Sequence, residues 1–326
     1  MTQPSSARSL LLPLTPLYRL ALSLRELRLS CGLEPVRRLR FPVVSIGSLS
    51  AGGSGKTPLT IALAQALTRR GIRVDALSRG YGRKDQTVLR VDPNGTAEAF
   101  GDEPLLIARE ASVPVYVAAL RYEAGLIAEA NLSGQEGLHI HLLDDGFQHR
   151  QLHRDANILL LDSRDLHDHL LPAGNLRETL SAMHRATVIA IPAGDAELEA
   201  SLKTSGWQGP LWRLRRRMEV PQTDGPVVAF CGIARSDQFF AGLEATGLHL
   251  ASRIAFADHH NYKPHDIDCI NDAARSAGAT TIVTTEKDYV RLGKLAESLP
   301  LKTAALRIEI ENEREAIDAL LKRLGA

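Results

Sequence analysis

One stretch limits what this chain can fold into more than any other: Val43-Val44-Ser45-Ile46-Gly47-Ser48-Leu49-Ser50-Ala51-Gly52-Gly53-Ser54-Gly55-Lys56-Thr57. The apolar run reads as a buried strand, the glycine-rich segment as a tight loop, and the residues from Thr57 as a helix closed by Gly71. Glycines let backbone N–H groups curl around phosphate oxygens. A following lysine can reach the outer phosphates, and the hydroxyl after it suits Mg²⁺. Ser50, Ala51, Gly52, Gly53, Ser54, Gly55, Lys56 and Thr57 are therefore the expected nucleotide cradle, with Thr57 also a metal ligand. Ser50 stands where the GxxxxGK[ST] pattern has its first glycine, so the strand-loop-helix context carries the reading. Ala51 occupies the place of the extra lysine found in deviant-loop ATPases, which counts against that class.

Such a loop needs a carboxylate from a neighbouring strand for the metal. Two strand ends offer one: 138–143 leads into Asp144-Asp145, and 158–161 leads into Asp162. Adjacent carboxylates concentrate charge that is costly without a cation, so Asp144 and Asp145 are the preferred metal ligands.

Around this motif, strand, turn and helix alternate. Strands are expected at 41–46, 74–77, 115–117, 139–143, 157–161 and 187–191, with helices at 57–70, 103–110, 121–131 and 178–185. That alternation predicts an α/β fold of the P-loop NTPase type, a parallel sheet with helices on both faces. With 326 residues the chain is long enough for two domains. Glycine, proline and a basic run, Arg213 to Arg217, punctuate 205–226 and mark the boundary; the run itself reads as a solvated strand face. A second α/β pattern follows, with strands at 227–231, 250–256 and 280–284 and helices at 237–245, 265–277 and 313–324, the last capped by Asn312. The expected organisation is an N-terminal region 1–40, a phosphate-loop domain 41–215 and a smaller α/β domain 216–326.

Composition excludes several function classes. Lys+Arg 39 against Asp+Glu 38 leaves a net charge of +1, and aromatics are 5%, so neither a basic field nor a stacking platform points to nucleic acid. Cys31, Cys231 and Cys269 lie far apart without a CxxC, which argues for a reducing compartment and against a disulfide framework or a cysteine zinc site.

The first 40 residues differ from the rest. Seven arginines face only Glu26 and Glu34, giving 7 − 2 = +5, and ten leucines lie between Leu10 and Leu29. Prolines and charges interrupt the apolar runs, so the segment is neither a spanning helix, which needs about 20 apolar residues, nor a secretory signal. Thr15-Pro16 reads as an N-cap and first helical position, opening a helix to about 29. Leu17, Leu20, Leu24 and Leu27 share one face, with Arg19 and Glu26 opposite. Two readings stay open: a helix packed on its own domain, and an interfacial helix with leucines in the acyl boundary and arginines on anionic headgroups.

With the phosphate loop and Asp144-Asp145-Gly146-Phe147-Gln148-His149 both in view, the sequence closely resembles the tetraacyldisaccharide 4′-kinase family of Gram-negative bacteria. The resemblance covers nearly the whole chain. It includes Ser78-Arg79-Gly80-Tyr81-Gly82-Arg83, Gly101-Asp102-Glu103-Pro104 and Pro172-Ala173-Gly174-Asn175-Leu176-Arg177-Glu178. It continues through Phe256-Ala257-Asp258-His259-His260 and Thr284-Thr285-Glu286-Lys287-Asp288. The family often has Thr at Ser50 and Pro at Ala257, departures that touch no expected functional side chain.

The resemblance implies transfer of the ATP γ-phosphate, with Mg²⁺, to the 4′-hydroxyl of an acylated glucosamine disaccharide 1-phosphate, forming the lipid A precursor. It implies a peripheral enzyme at the cytoplasmic face of the inner membrane, attached through the N-terminal helix, and it favours the interfacial reading of that helix. A monomer is expected. Asp102, otherwise a helix cap, matches the family's base for the sugar hydroxyl, aided by His259, with Glu103 supporting the same site. Arg121 and Arg177, among several loop arginines including Arg79 and Arg83, are the expected substrate or phosphate contacts, because guanidinium suits phosphate. The competing function is a membrane-associated P-loop ATPase acting as a switch or assembly factor, which needs neither Asp102 paired with a distant histidine nor a leucine–arginine anchor.

Overall fold

The computed structural model describes residues 8, 10–132, 137–223 and 225–325; most of 1–9 in the expected N-terminal region lies outside them. The apolar runs read from the sequence become strands: β1 (Val43–Ser48), β2 (Arg73–Ser78), β4 (Val115–Val117), β5 (His139–Asp144), β6 (Ala156–Leu160), β7 (Val188–Pro192), β9 (Val227–Cys231), β10 (Leu250–Ala255) and β11 (Thr281–Thr285). Three more join them: the short β3 (Leu89–Arg90), β8 (Leu211–Glu219) and β12 (Leu301–Ile310). All twelve form one sheet in the order β10-β9-β11-β12-β8-β7-β6-β1-β5-β2-β4-β3. Pairing is parallel except between β3 and β4 and between β8 and β12.

The sheet is continuous because two strands change partners along their length. β8 pairs with β7 from Leu211 to Leu214, then with β12 from Leu214 to Glu219. β12 pairs with β11 from Leu301 to Ala304, then with β8 from Ala305 to Ile310. The boundary expected at 215/216 thus falls inside β8, and no linker separates the two halves there. β12 was not expected from the sequence. Its apolar positions are interleaved with Lys302, Arg307 and Glu309, a pattern that takes its meaning from the partners on either side.

Helices are α1 (Thr15–Ser30), α2 (Lys56–Arg69), α3 (Ala97–Phe100), α4 (Asp102–Ala111), α5 (Arg121–Ala130), α6 (Ala196–Thr204), α7 (Ser236–Ala245), α8 (Pro264–Ser276), α9 (Glu286–Leu292) and α10 (Glu313–Arg323). The helix expected at 178–185 is a 3₁₀ segment, Leu180–Arg185. On one face of the sheet, fully buried Leu59, Leu63 and Leu67 lie on α2, which packs on β1, β5 and β12, and fully buried Leu105 and Ile107 lie on α4, which packs on α2, β2 and β4. Each such leucine contributes about 1.5–3 kcal/mol by leaving water. Asn312 precedes α10 in the left-handed region and makes no side-chain cap bond.

α1 does not begin as expected. A 3₁₀ turn, Leu12–Leu14, leads straight into it, so Thr15 is already helical and makes no cap bond. Tyr18 and Leu22, four residues apart, pack on a core patch containing Leu49, Phe147 and Leu176. Leu17, Leu20, Leu24 and Leu27 are each more than half exposed. The helix therefore docks by one face and leaves a leucine face bare. No described helix is long and apolar enough to cross a membrane.

Candidate active site

Parallel strands deliver their C-terminal ends to one edge of the sheet, and the loops there enclose a cavity of about 810 Å³. The phosphate loop forms one wall. β1 ends at Ser48, the loop turns, and Gly55 precedes α2 with φ +92°, a conformation in which a side chain would be strained. Close packing fixes the strand below: a Cβ on Gly47 would lie 2.5 Å from that of Phe147. The segment 175–177, ahead of the 3₁₀ segment Leu180–Arg185, pins the loop from outside, with Ala51 N donating to Asn175 O (2.8 Å) and Arg177 N to Leu49 O (2.7 Å). Lys56 is buried, its Nζ 3.3 Å from the hydroxyls of Ser48 and Ser54 and 3.7 Å from Asp145 Oδ1. Ala51, Gly52, Gly53, Ser54, Gly55, Lys56 and Thr57 line the cavity; Ser50 is buried beneath it.

Asp144 and Asp145 follow from β5, the strand beside β1, onto the same cavity. Asp144 is buried. Its Oδ1 accepts from Thr60 Oγ1 (2.9 Å), and its Oδ2 has no partner among the described residues. Burial, with Glu103 and Asp145 nearby, pushes its carboxyl up to about 7. A buried carboxylate with a bare oxygen takes up a proton or a cation. Burial would also raise Asp145, but Lys56 and Arg177 outweigh it and hold the group down to about 2. Hard oxygen donors from Asp144, Asp145 and Thr57 gathered beside a phosphate cradle fit Mg²⁺. Asp162 is occupied instead: it accepts from Arg164 (2.9 Å) and from Arg235 (2.8 Å).

The two expected arginines differ in placement. Arg177 grips Asp145 with both terminal nitrogens (2.8 and 2.9 Å) and also donates to Ser48 O and Ser50 O. Its donors hold that carboxylate against the loop. Arg121, at the first turn of α5, is buried at the cavity wall, donates to Ala119 O, and leaves Nε without a partner among the described residues. Burial and Arg79 bring its guanidinium down to about 10. Beside it, burial and Arg121, Arg154 and Arg25 push His149 down to about 3, which keeps the ring neutral. A cavity with this much positive charge suits an anion. Arg83 is buried, donates through Nη1 to Thr87 O, and leaves Nε and Nη2 without a partner among the described residues.

Asp102 and His259 come from opposite halves of the chain and meet. His259 Nδ1 lies 3.3 Å from Asp102 Oδ2. His259 stands in the left-handed region (φ +56°), its backbone N donating to Gly232 O, and its ring packs beside Tyr81 (5.4 Å). The imidazole and Glu103 line the cavity, whereas Asp102 sits just behind them, 6% exposed. Burial would raise the Asp102 carboxyl, but His259, Lys287 and Arg291 hold it well below the usual range; the bond to Asp102 raises His259. Asp102 is the first residue of α4, following Gly101, and its Oδ1 accepts from Glu103 N (3.0 Å).

Four contributors lie outside the site residues expected from the sequence. Arg216 of β8 donates to Ser54 O (3.1 Å), and Arg235 lies against Gly53. Lys287 reaches Glu103 Oε1 (2.5 Å), and Arg291 reaches Asp102 Oδ2 (2.6 Å). The position of Lys287 within Thr284-Thr285-Glu286-Lys287-Asp288 was the available signal; the arginines carried none.

A glycine loop ending in Lys56-Thr57, a metal-suited carboxylate pair and an acid–histidine pair whose imidazole lines the same cavity define a P-loop phosphotransferase. Residues 7–325 match the tetraacyldisaccharide-1-P 4′-kinase family, and the chain belongs to it. It is 40% identical to the tetraacyldisaccharide 4′-kinase of Koribacter versatilis over 322 residues, covering 95% of this chain and 97% of that one. Against the Aquifex aeolicus protein of the same name the identity is 35%, covering 97% and 99%. The fold superposes on a crystal structure of the A. aeolicus protein in complex with ATP, with TM-score 0.76 and 32% identity, covering 98% of this chain and 99% of that one.

Proposed function

We propose that the chain transfers the γ-phosphate of ATP to the 4′-hydroxyl of a tetraacylated glucosamine disaccharide 1-phosphate. Family membership supports an ATP-dependent kinase acting on a lipid disaccharide. The observation that carries the chemistry is the Asp102–His259 contact, whose imidazole lines the same cavity as Lys56. The backbone of 50–57 and Lys56 hold the triphosphate. Thr57, Asp144 and Asp145 would hold Mg²⁺, which neutralises phosphate charge when bound. The sugar oxygen attacks the γ-phosphorus, the bond to ADP breaks, and the hydroxyl proton passes to the Asp102–His259 pair, with Glu103 beside it. The imidazole faces the cavity and the carboxylate behind it orients the ring; phosphoryl transfer asks more for positioning than for a strong base. Arg121 offers its free Nε to the anionic substrate, and Arg177 serves the site through Asp145.

The acceptor's chains lie where α1 presents Leu17, Leu20, Leu24 and Leu27, on the anionic cytoplasmic face of the bacterial inner membrane. Residues 41–215 and 216–326 act as two domains closing about β8 and β12, and the working unit is a monomer. Incubation with labelled ATP and a panel of acylated disaccharides tests the reading: a phosphorylated lipid is expected, and ATP hydrolysis that leaves every lipid unlabelled would refute it.

A further inference from the structure

α9 carries two cations four residues apart, Lys287 and Arg291, so both project from one face of a single short helix. They cross from the C-terminal half to the two residues that open α4. Lys287 Nζ pairs with Glu103 Oε1 at 2.5 Å. Arg291 pairs with Asp102 Oδ2 through Nε (2.8 Å) and Nη2 (2.6 Å), a two-nitrogen grip on one carboxylate oxygen. Its remaining terminal nitrogen, Nη1, donates to Gly232 O (2.5 Å) and Asp288 Oδ1 (3.0 Å).

The guanidinium is therefore fixed from behind. Asp288 is fully buried and also accepts from Tyr262 OH (2.9 Å), Gly232 N (3.1 Å) and Thr285 Oγ1 (2.6 Å). Gly232 O, which takes Arg291 Nη1, also takes the backbone N–H of His259. One arginine thus touches the carboxylate of the proton-accepting pair and the carbonyl that seats the histidine. Arg291 Nη2 comes within 3.3 Å of His259 Nδ1, so both rest on the same Asp102 oxygen.

The geometry points to Arg291 as the positioning residue of the phosphoryl-transfer site, setting Asp102 and His259 in register across the junction between the two halves, with Lys287–Glu103 as a second tie beside it. This rests on the reading of Asp102–His259 as the proton-accepting pair. A guanidinium is suited to the task because its planar fork fixes direction as well as charge. Arg291 has no place in the phosphate cradle, so its loss spares nucleotide binding and acts on turnover.

The test uses the full chain with Arg291→Met, Arg291→Lys, Asp102→Asn and the Arg291→Met/Asp102→Asn double variant, each assayed for kcat, KM for ATP and nucleotide affinity. Arg291→Met should lower kcat by about 10²-fold, the scale of a misplaced catalytic group, with KM for ATP within about twofold. Arg291→Lys keeps the charge without the fork and should recover part of the loss. It also keeps the proposal testable if the Met variant does not fold, since wild-type kcat in a folded Lys variant would overturn the need for a fork. In the double variant, Arg291→Met should add almost nothing to Asp102→Asn, because residues acting as one unit are non-additive. Full multiplication of the two losses, or an unchanged kcat for Arg291→Met, would overturn the positioning role while Asp102→Asn remains strongly impaired. An active Asp102→Asn would instead remove the proton-accepting reading itself.

Discussion

Charge at single residues decides which carboxylates in this cavity are available. Asp144 keeps a bare buried oxygen and lines the cavity with Asp145, whose carboxylate is shared with Lys56 and Arg177, whereas Asp162, held by Arg164 and Arg235, is not among the lining residues. Lys56→Ala should lower kcat by about 10²–10³, the scale for losing one preorganised charge stabiliser. Asp144→Ala and Asp145→Ala should each raise the Mg²⁺ concentration needed for half-maximal rate, whereas Asp162→Ala should leave it in place; a Mg²⁺ titration of each variant separates these outcomes. At the other end of β5, away from the cavity, Asp75 accepts from His139 Nε2 and His141 Nδ1, both at 2.8 Å, in the core. Asp75→Ala leaves buried imidazoles unpaired and should cost about 3–5 kcal/mol by denaturant unfolding. Burial opposes charge on His141, but Asp75 and Glu129 outweigh it and raise its pKa. Its stabilisation is therefore complete below the unfolded value of about 6.5 and is lost as pH rises through the raised folded value. Asp75 is depressed despite its burial, so its share is present above about 3.9 and is lost as pH falls through the folded value. Wild-type stability should fall as pH rises above about 6.5 more steeply than that of His141→Gln, compared by urea midpoints.

At the level of elements, α1 shows how one helix serves two surroundings. Its inner face places Tyr18 OH on Arg177 O (3.0 Å), Arg25 on Gln148 O (2.6 Å) and Glu26 on Arg150, all in segments that build the site. Its outer leucines touch none of these. Replacing Leu17, Leu20, Leu24 and Leu27 with Gln should lower partitioning onto anionic vesicles by more than about tenfold, since even partial burial of four leucines exceeds about 1.4 kcal/mol. Co-sedimentation of the folded variant measures it, and unchanged binding would return the helix to a purely packing role. The amphipathic pattern made this helix legible, but not its start, because Pro13 and Pro16 permitted a 3₁₀ turn to run into it. The phosphate loop was legible for a local reason: glycine spacing, lysine and threonine are consecutive, and the strand before them is uniformly apolar. β12 was not, because its partners, β8 and β11, come from earlier parts of the chain. Arg213, Arg215 and Arg217 do form the solvated strand face expected of them, pairing with Glu199, Glu311 and Glu309, yet Arg216 between them turns to the phosphate loop. Alternation along a strand makes that division intelligible afterwards; residue type alone did not mark which arginine points inward.

The whole molecule is built so that neither half holds a complete site. The N-terminal strands bring the cradle, Asp144, Asp145 and Asp102; the C-terminal strands bring His259, Lys287, Arg235 and Arg291, and β8 and β12 join the two in one sheet. This is the part least visible in a sequence, since Asp102 and His259 are separated by nearly half the chain and no spacing rule relates them; only the family resemblance paired them. The account's central claim is that phosphoryl transfer to a lipid disaccharide depends on these two acting as one unit across the junction. The most direct test is the lipid-phosphorylation rate of Asp102→Ala, His259→Ala and the double variant at saturating ATP. Each single change should cost about 10²–10⁴ in rate with nucleotide affinity intact, and the double variant little more than the worse single one. A near-normal rate for His259→Ala, or losses that multiply in full, would contradict it.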